Sequence, residues 1–186
     1  NSYKQVPEGY VGIRTFNGRA IDDDGNPLHE LLEPGGHWMI LGLHDVEHVN
    51  RQHQTTLVET TIDAPHSGGF EQFKLGAVVT WGVLSDESGI RPIVTFENAY
   101  RQYYEIDTSE DLETKVAGVA TRYLIGRVLG LSPKSRTVGV LNRCAEQQIS
   151  SITSLAEYGV GIYGIEITEF SRAGVIQFGI PAVAND

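Results

Sequence analysis

The feature that most constrains the fold is a strict alternation of side chains between Gln72 and Leu84. Apolar residues occupy every second position there: Phe73, Leu75, Ala77, Val79, Trp81 and Val83. Successive side chains of a strand point to opposite faces, so this pattern predicts a β-strand that buries one face. A Thr- and Val-rich segment from Gln54 to Ile62 predicts a strand before it, and residues 63–69 predict a turn between the two. The two strands can therefore form a hairpin.

The hydrophobic period changes in the second half of the chain. Apolar residues recur every three or four positions over residues 112–130, which predicts an amphipathic helix opened near Thr108. Ser132–Pro133 predicts the start of a second helix, because proline suits the first helical position. This helix is expected to stop at Tyr158, and Gly139 leaves open a regular start later than the proline.

The order of the elements predicts the fold class. Short strands are expected from Tyr10 to Phe16 and from Ile162 to Phe170, the second with Ile165 and Ile167 on one face. Strands therefore dominate the N-terminal half, and two amphipathic helices and a final strand follow. This order predicts an α+β fold rather than a regular βαβ series.

Composition and charge exclude several classes of function. The 186 residues are 40% hydrophobic and 20% charged, which suits one globular domain or two small ones. The net charge is -10 and no Lys/Arg run exists, so we expect no nucleic-acid partner. Cys144 is the only cysteine, so an intrachain disulfide cannot form. The sequence contains no run of about 18 apolar residues, so no membrane-spanning segment is predicted. The start at Asn1 rather than Met indicates that the chain was trimmed or processed.

A glycine motif resembles a nucleotide-binding fingerprint. GVGIYG places Gly159, Gly161 and Gly164 in the G-x-G-x-x-G spacing. That fingerprint must follow a strand and open a helix, because the N-terminus of the helix binds the pyrophosphate. The predicted polarity is the reverse, from helix to strand, and a helix C-terminus repels phosphate. We therefore predict no cofactor, a left-handed Gly159 after the helix, and a helix-to-strand hinge at the three glycines.

Two clusters contain side chains that could bind a metal ion. Asp22–Gly25 looks like the start of a calcium loop, but the required spacing would place Ala20 at the first ligand position. His44, His48 and His53 form the densest group, yet a strand would hold the first two roughly 13 Å apart. We expect a solvated acidic turn and exposed histidines, with no metal site and no catalytic residue. A metal-dependent enzyme based on the three histidines stays the least favoured alternative.

Five segments in order carry a family resemblance. They are VPEGYVGI (6–13), LLEPGGHW (31–38), FKLGAVVTWGVLSD (73–86), VAGVATRYLIGRVLGLS (116–132) and AEYGVGIYGIEITEF (156–170). Together they resemble the SPFH (band-7) family of stomatin, prohibitin, flotillin and the bacterial regulators of membrane AAA proteases. The turn at Pro34–His37 has one glycine more than the family pattern. Residues 87–108 are longer and more aromatic than the usual link, and the charged coiled coil that normally follows is replaced by SRAGVIQFGIPAVAND.

The resemblance implies an SPFH/PHB-like fold with a curved sheet. Residues 1–70 would form a first, membrane-proximal subdomain of strands and loops, and residues 71–186 a second one with a strand, two helices and a strand. It further implies a non-enzymatic scaffold that oligomerises with itself on a membrane lipid surface and organises microdomains or regulates a membrane protease. The anchor would lie before Asn1, and the side of the membrane is not predicted.

One apolar run occupies the place of a membrane-dipping loop in the family. It consists of Trp38, Met39, Ile40 and Leu41, and tryptophan favours the headgroup region. Alternatively the run is a core strand, and we expect most of it to be buried with one or two tip residues exposed.

Two expectations concern assembly. The main alternative function is a structural subunit of a soluble ring or shell, similar to the shoulder of the vault particle. Without the family's coiled coil and without a membrane, the 186 residues alone are expected to self-associate weakly.

Overall fold

The computed structural model describes residues 1–84, 92–104 and 112–177. For residues 92–96 and 176–177 it describes the backbone only. Strands fill the N-terminal half and three α-helices precede a last strand in the described part. The elements are β1 (Ser2–Val6), β2 (Tyr10–Phe16), β3 (Gly35–Met39), β4 (His44–Asn50), β5 (Gln54–His66), β6 (Gly69–Val83), α1 (Pro92–Tyr104), α2 (Leu112–Gly130), α3 (Val138–Gln148) and β7 (Val160–Gln177). The predicted α+β class is confirmed, whereas the SPFH-like details and the curved sheet stay predictions.

The alternating segment forms the central strand of a three-stranded sheet with the order β5-β6-β7. All six of its alternating apolar side chains are buried, as predicted. The hairpin is also confirmed, but its turn is only Ser67–Gly68, and residues 63–66 continue β5. Pro65 can lie within β5 because β5 is an edge strand, where a missing N–H leaves no ladder bond broken.

Helix α2 confirms the predicted amphipathic helix and ends at Gly130. Its buried side chains follow one another at i, i+4 spacing: Val116, Ala120, Leu124 and Val128. Such a stripe covers one side of a helix and packs against a core. The expected opening at Thr108 lies outside the described residues.

The predicted end of the second helix is wrong, whereas its regular part begins later than the proline, as the sequence had left open. Residues from Pro133 to Ser135 form only a single 3-10 turn, and α3 begins at Val138, where the hydroxyl of Thr137 accepts a bond from the Val140 N–H at 3.3 Å. The helix stops at Gln148 because short polar side chains then compete with its backbone bonds. Ser151 Oγ, for example, donates to the Gln148 carbonyl at 2.6 Å. A 3-10 turn at 149–151, which directly follows α3, and a separate one at 156–158 replace the predicted last part of the helix.

Helix α1 was not predicted and lies in the segment interpreted as an aromatic link. Pro92 opens it, as suits the first helical position. Tyr100 and Tyr104 are one turn apart and stack with ring centroids 5.2 Å apart. The Tyr100 hydroxyl donates to the Ala20 carbonyl, and Asn98 Nδ2 donates to the Leu84 carbonyl at 2.6 Å. The i, i+4 spacing of the two tyrosines is thus a helical signal within a segment that was predicted to be a link.

Contacts divide the chain into two compact units that interleave along the sequence. The first contains Asn1–Gln54, Trp81–Leu112 and Thr153–Ile162, and the second contains Thr55–Thr80, Glu113–Ile152 and Tyr163–Asp186. The family resemblance instead predicts a single division, at residue 70. A compact unit is defined by contacts and not by chain order, so three separate segments contribute to each unit. The two subdomains implied by the family resemblance stay a prediction.

The first unit contains two antiparallel pairs of strands. In β1–β3, Ser2 pairs with Met39 and Val6 with Gly35. In β2–β4, Tyr10 pairs with Asn50, and the ladder continues to the start of β4. Two buried clusters lie around these pairs: Val11, Ile13, Ala20, Val49, Val83, Ala99 and Tyr100 in one, and Val6, Leu32 and Met39 in the other.

The second unit contains a buried ion pair beside its sheet strands. Glu71 on β6 is 1% exposed and approaches Arg136 at 3.6 Å between Oε2 and Nη1. Arg172 on β7 contacts the other carboxylate oxygen. Arg136 Nη1 also donates to the Pro65 carbonyl at 2.8 Å. A buried charge needs such partners, because an unpaired one is costly in a low-dielectric interior.

Candidate functional site

The candidate membrane-contacting run is mostly exposed. Trp38 is 69% exposed, Ile40 is 50% exposed and Leu41 is 73% exposed, whereas Met39 is 2% exposed and belongs to a core cluster. Our expectation that most of the run is buried is therefore wrong. Successive side chains of β3 point to opposite faces, so Trp38 is exposed while Met39 is buried. After Met39 the chain leaves the strand and turns.

Two further residues extend this surface. Tyr3 on β1 pairs with Trp38 across the ladder, and their rings meet edge to face with centroids 5.4 Å apart. Leu43 lies at the end of the turn and is also exposed. We call Tyr3, Trp38, Ile40, Leu41 and Leu43 the apolar apex. Large apolar side chains grouped in this way on a surface commonly mark a contact site for a protein or a membrane.

Gly36 in the Pro34–His37 turn has a structural reason. A Cβ on Gly36 would lie 1.6 Å from the Tyr3 hydroxyl, because the tyrosine ring crosses directly over this backbone position. Any side chain at residue 36 would therefore displace Tyr3 and disturb its contact with Trp38. A residue without a side chain at position 36 thus leaves room for the Tyr3 ring beside Trp38.

The apex is held on a defined turn. The N–H groups of Leu43 and His44 both donate to the Ile40 carbonyl, at 3.2 and 3.0 Å. Gly42 adopts the left-handed region with φ of 80°, a conformation that favours glycine. The N–H of Asn17 donates to the Leu43 carbonyl at 2.8 Å and connects the turn to the end of β2. These bonds present Ile40, Leu41 and Leu43 together.

A groove of about 540 Å³ borders the apex. Its lining residues are Ser2, Lys4, Thr15, Asn17, Gly18, Leu41, Gly42, Leu43, His44, Asp45, Glu47 and Tyr103. Lys4 Nζ lies 3.2 Å from Asp45 Oδ1. The N–H of Val46 and this ammonium group together lower the pKa of Asp45. Glu47 adds a second acid, so the groove carries more negative than positive charge and is a poor site for an anionic ligand.

The three candidate metal-binding histidines do not converge. His44 and His48 lie four residues apart on strand β4, and His53 follows in the connection to β5. Across residues 1–84, 92–104 and 112–177, no three His, Cys, Asp or Glu side chains come close enough to hold a metal ion together. His48 and His53 are exposed, as expected, whereas His44 is half-buried. Sequence reasoning missed its neighbour His29, whose ring centroid lies 5.2 Å away.

The acidic turn at residues 22–26 is organised by one aspartate. Asp22 Oδ1 accepts bonds from the N–H groups of Asp24 and Asn26, at 3.0 and 2.8 Å. The bond from Asn26 is the largest cause of the lowered pKa of Asp22. Arg19 pairs with Asp23, four residues away. An aspartate that binds its own backbone in this way forms a common turn, which fits the predicted solvated acidic turn.

The glycine motif connects a 3-10 turn to β7. Gly159 is left-handed, with φ of 71°, as predicted. A Cβ there would lie 2.3 Å from the Asn98 carbonyl oxygen, and one on Gly161 would lie 2.5 Å from a methyl group of Leu84. A Cβ on Gly164 would meet nothing closer than Thr80 at 3.8 Å. Close packing explains the first two glycines, and a strand follows where a dinucleotide site needs a helix. A role as a hinge stays a prediction.

Comparisons with known proteins identify no family for this chain. No protein-family model matches the chain, and no curated protein matches it. The resemblance to the SPFH family therefore depends on the five quoted segments and stays a prediction. In the described part of the chain, no helix has the length and apolar composition that crossing a membrane requires.

Proposed function

We propose that this chain is an SPFH-type domain of a membrane-associated, oligomeric scaffold, and that the apolar apex enters the membrane interface. The observation that carries the proposal is the exposure of Trp38, Ile40 and Leu41 on one formed turn. In the family that the chain resembles, this place belongs to a membrane-dipping loop. The scaffold would organise membrane microdomains or regulate a membrane protease, and it would need no cofactor.

Apolar burial would drive this membrane contact more than charge does. The chain has a net charge of -10, and the groove beside the apex is acidic, so anionic lipids offer little attraction. Burial of a large apolar side chain stabilises by about 1.5–3 kcal/mol, and Trp38 suits the headgroup region. We therefore expect binding to zwitterionic vesicles that changes little with salt concentration.

Flotation with phosphatidylcholine vesicles tests the proposal. The double variant Trp38→Ser/Leu41→Ser should bind roughly a hundredfold more weakly, because two apolar side chains no longer leave water. Leu57→Ser is the matched control, since Leu57 is 74% exposed on β5, away from the apex in sequence. The control should bind like the unchanged protein.

Equal binding by the double variant and the unchanged protein would contradict the proposal. If the double variant instead loses self-association, measured by sedimentation velocity without vesicles, the soluble ring or shell becomes the better hypothesis. Circular dichroism spectra that match the unchanged protein confirm that each variant is folded.

A further inference from the structure

We propose that His29 and His44 form a pH-sensitive latch that holds the turn of the apolar apex near neutral pH and releases it in acid. The latch itself depends only on the first compact unit, and its consequence for membrane binding rests on the proposed function. Both imidazoles, the turn and the groove belong to that unit.

The two rings are in direct contact. Their centroids lie 5.2 Å apart with an interplanar angle of 75°. His44 lies opposite Phe16 in the β2–β4 ladder, and those rings are 5.5 Å apart. His29 follows Leu28, whose N–H donates to the Ala20 carbonyl at 2.8 Å and fixes this segment. Strand and loop therefore hold the imidazoles together, and neither can move away without breaking these contacts.

The environment of His29 favours the neutral imidazole. Its Nε2 atom is buried and has no hydrogen-bond partner among the described residues. Burial lowers the pKa of His29 most, and His44 and Arg14 lower it further by charge repulsion. Two protonated rings at this distance beside an arginine would repel each other strongly. Acid therefore introduces a positive charge that this packing cannot hold.

His44 connects the pair to the apex. The Nδ1 atom of His44 accepts a bond from the backbone N–H of Ile40, at 3.5 Å. The backbone N–H of His44 donates to the Ile40 carbonyl, at 3.0 Å. A positive charge on His29 cannot stay packed against this ring, so its displacement also disturbs the His44 ring that bonds to Ile40. This weakens the turn that presents Ile40, Leu41 and Leu43.

The charges around the latch do not neutralise a protonated pair. Arg14 lies on β2 and adds positive charge beside His29. Asp45 follows His44 on β4 and is already paired with Lys4 of β1. Glu47 of β4 and Tyr103 of α1 line the same groove as His44. Among the described residues, no ion pair joins Asp45 or Glu47 to His29. Burial, His44 and Arg14 all lower the pKa of His29, so a positive charge on this ring is left uncompensated.

Opening of the turn would increase the apolar area that can enter a membrane. Ile40 and Leu43 are only partly exposed while the turn is closed. Release of the turn frees the remainder of these side chains, and membrane affinity rises with the apolar area buried. We therefore expect stronger vesicle binding in acid.

Hydrogen exchange of the Ile40–His44 backbone amides tests the latch without any membrane. Between about pH 7.5 and pH 5.5, protection corrected for intrinsic exchange should fall roughly tenfold in the unchanged protein. His29→Gln should keep its protection in acid, because the amide cannot acquire a charge. His48→Gln, which changes an exposed histidine of the same strand, should behave like the unchanged protein. An equal loss of protection in His29→Gln would overturn the latch.

A second variant covers the case in which His29→Gln does not fold. Arg14→Gln removes a neighbouring positive charge that lowers the pKa of His29, so a protonated His29 disfavours the closed turn less and the loss of protection in acid should become smaller. A loss of protection in Arg14→Gln as large as in the unchanged protein, or the absence of any pH-dependent loss in the unchanged protein, would overturn the proposal.

Vesicle binding separates the latch from the proposed function. The unchanged protein should bind phosphatidylcholine vesicles several-fold more tightly at about pH 5.5 than at pH 7.5, and His29→Gln should not. No binding at either pH, combined with the expected change in exchange, would contradict the membrane proposal and support the latch. Binding without any pH-dependent exchange would contradict the latch alone.

Discussion

At the scale of single residues, backbone conformation decides which glycines matter. Gly159 combines a positive φ with a close approach of the Asn98 carbonyl, and its own carbonyl accepts the Leu84 N–H at 3.0 Å. Gly164 belongs to the same sequence motif but has room for a side chain. Identical letters in a motif thus meet different physical demands. The glycine spacing that suggests a phosphate site arises here from local packing.

The substitution Gly159→Ala should reduce the free energy of unfolding by about 2 kcal/mol or more, because a left-handed alanine is strained and its Cβ meets the Asn98 backbone. Urea denaturation measures the effect. Gly126→Ala on α2 is the control, since nothing lies within 4 Å of its Cβ position. In the helix it should stabilise by up to about 1 kcal/mol. Equal effects in the two variants would contradict this explanation.

At the scale of elements, side-chain bonds decide where helices and strands end. Thr137 caps α3 five residues after the position that Ser132 predicted, and β5 continues through Pro65 because its outer edge needs no N–H. The Pro65 carbonyl is used by Arg136, which also pairs with Glu71 of β6. One buried arginine thus connects two strands to the segment before α3.

Removal of the Glu71 carboxylate should destabilise the protein strongly. Glu71→Ala leaves Arg136 with a buried, uncompensated charge, which costs about 3 kcal/mol. Arg172→Ala is the matched control, because that side chain is 61% exposed and its loss should cost under about 1 kcal/mol. Both values come from the same denaturation experiment. A larger loss for Arg172→Ala than for Glu71→Ala would show that the buried pair is not the stabilising contact.

At the scale of the whole molecule, buried tyrosines connect stability to pH. Burial raises the pKa of Tyr100 to about 12, and it also raises the pKa of Tyr104. The folded state therefore prefers the protonated phenols more than the unfolded state does. Their contribution is complete below pH 10 and is lost as the pH rises through the range between the unfolded and folded pKa values.

The free energy of unfolding should accordingly fall between about pH 10 and 12. Tyr100→Phe should make this decrease shallower, because the ring remains while the titrating hydroxyl is removed. The variant should lose about 1 kcal/mol near neutral pH through the missing bond to the Ala20 carbonyl. Tyr3→Phe, which changes an exposed tyrosine, should follow the unchanged protein. Parallel curves for Tyr100→Phe and the unchanged protein would contradict the role of this burial.

Much of the fold could be predicted from local patterns. The alternation of β6, the helical period of α2 and the left-handed Gly159 each depend on a few neighbouring residues, and all three are confirmed, although the buried face of α2 runs through Ala120 and Leu124 instead of Val119 and Tyr123. Helix α1 was missed because its aromatic spacing was interpreted as a long link. The end of α3 was wrong because serine bonds to the backbone, such as that of Ser151, leave only a weak mark in the sequence.

The sequence by itself determined the α+β class, the main strand and helix periods, and the absence of any sustained basic run, because these depend on the order and spacing of side chains along the chain. Only the tertiary structure decided that Trp38, Ile40 and Leu41 are exposed while Met39 is buried. It also brought His29 beside His44, fifteen positions further along. Burial depends on which strand covers which face, and contacts between distant residues depend on folding, so neither can be read from local spacing.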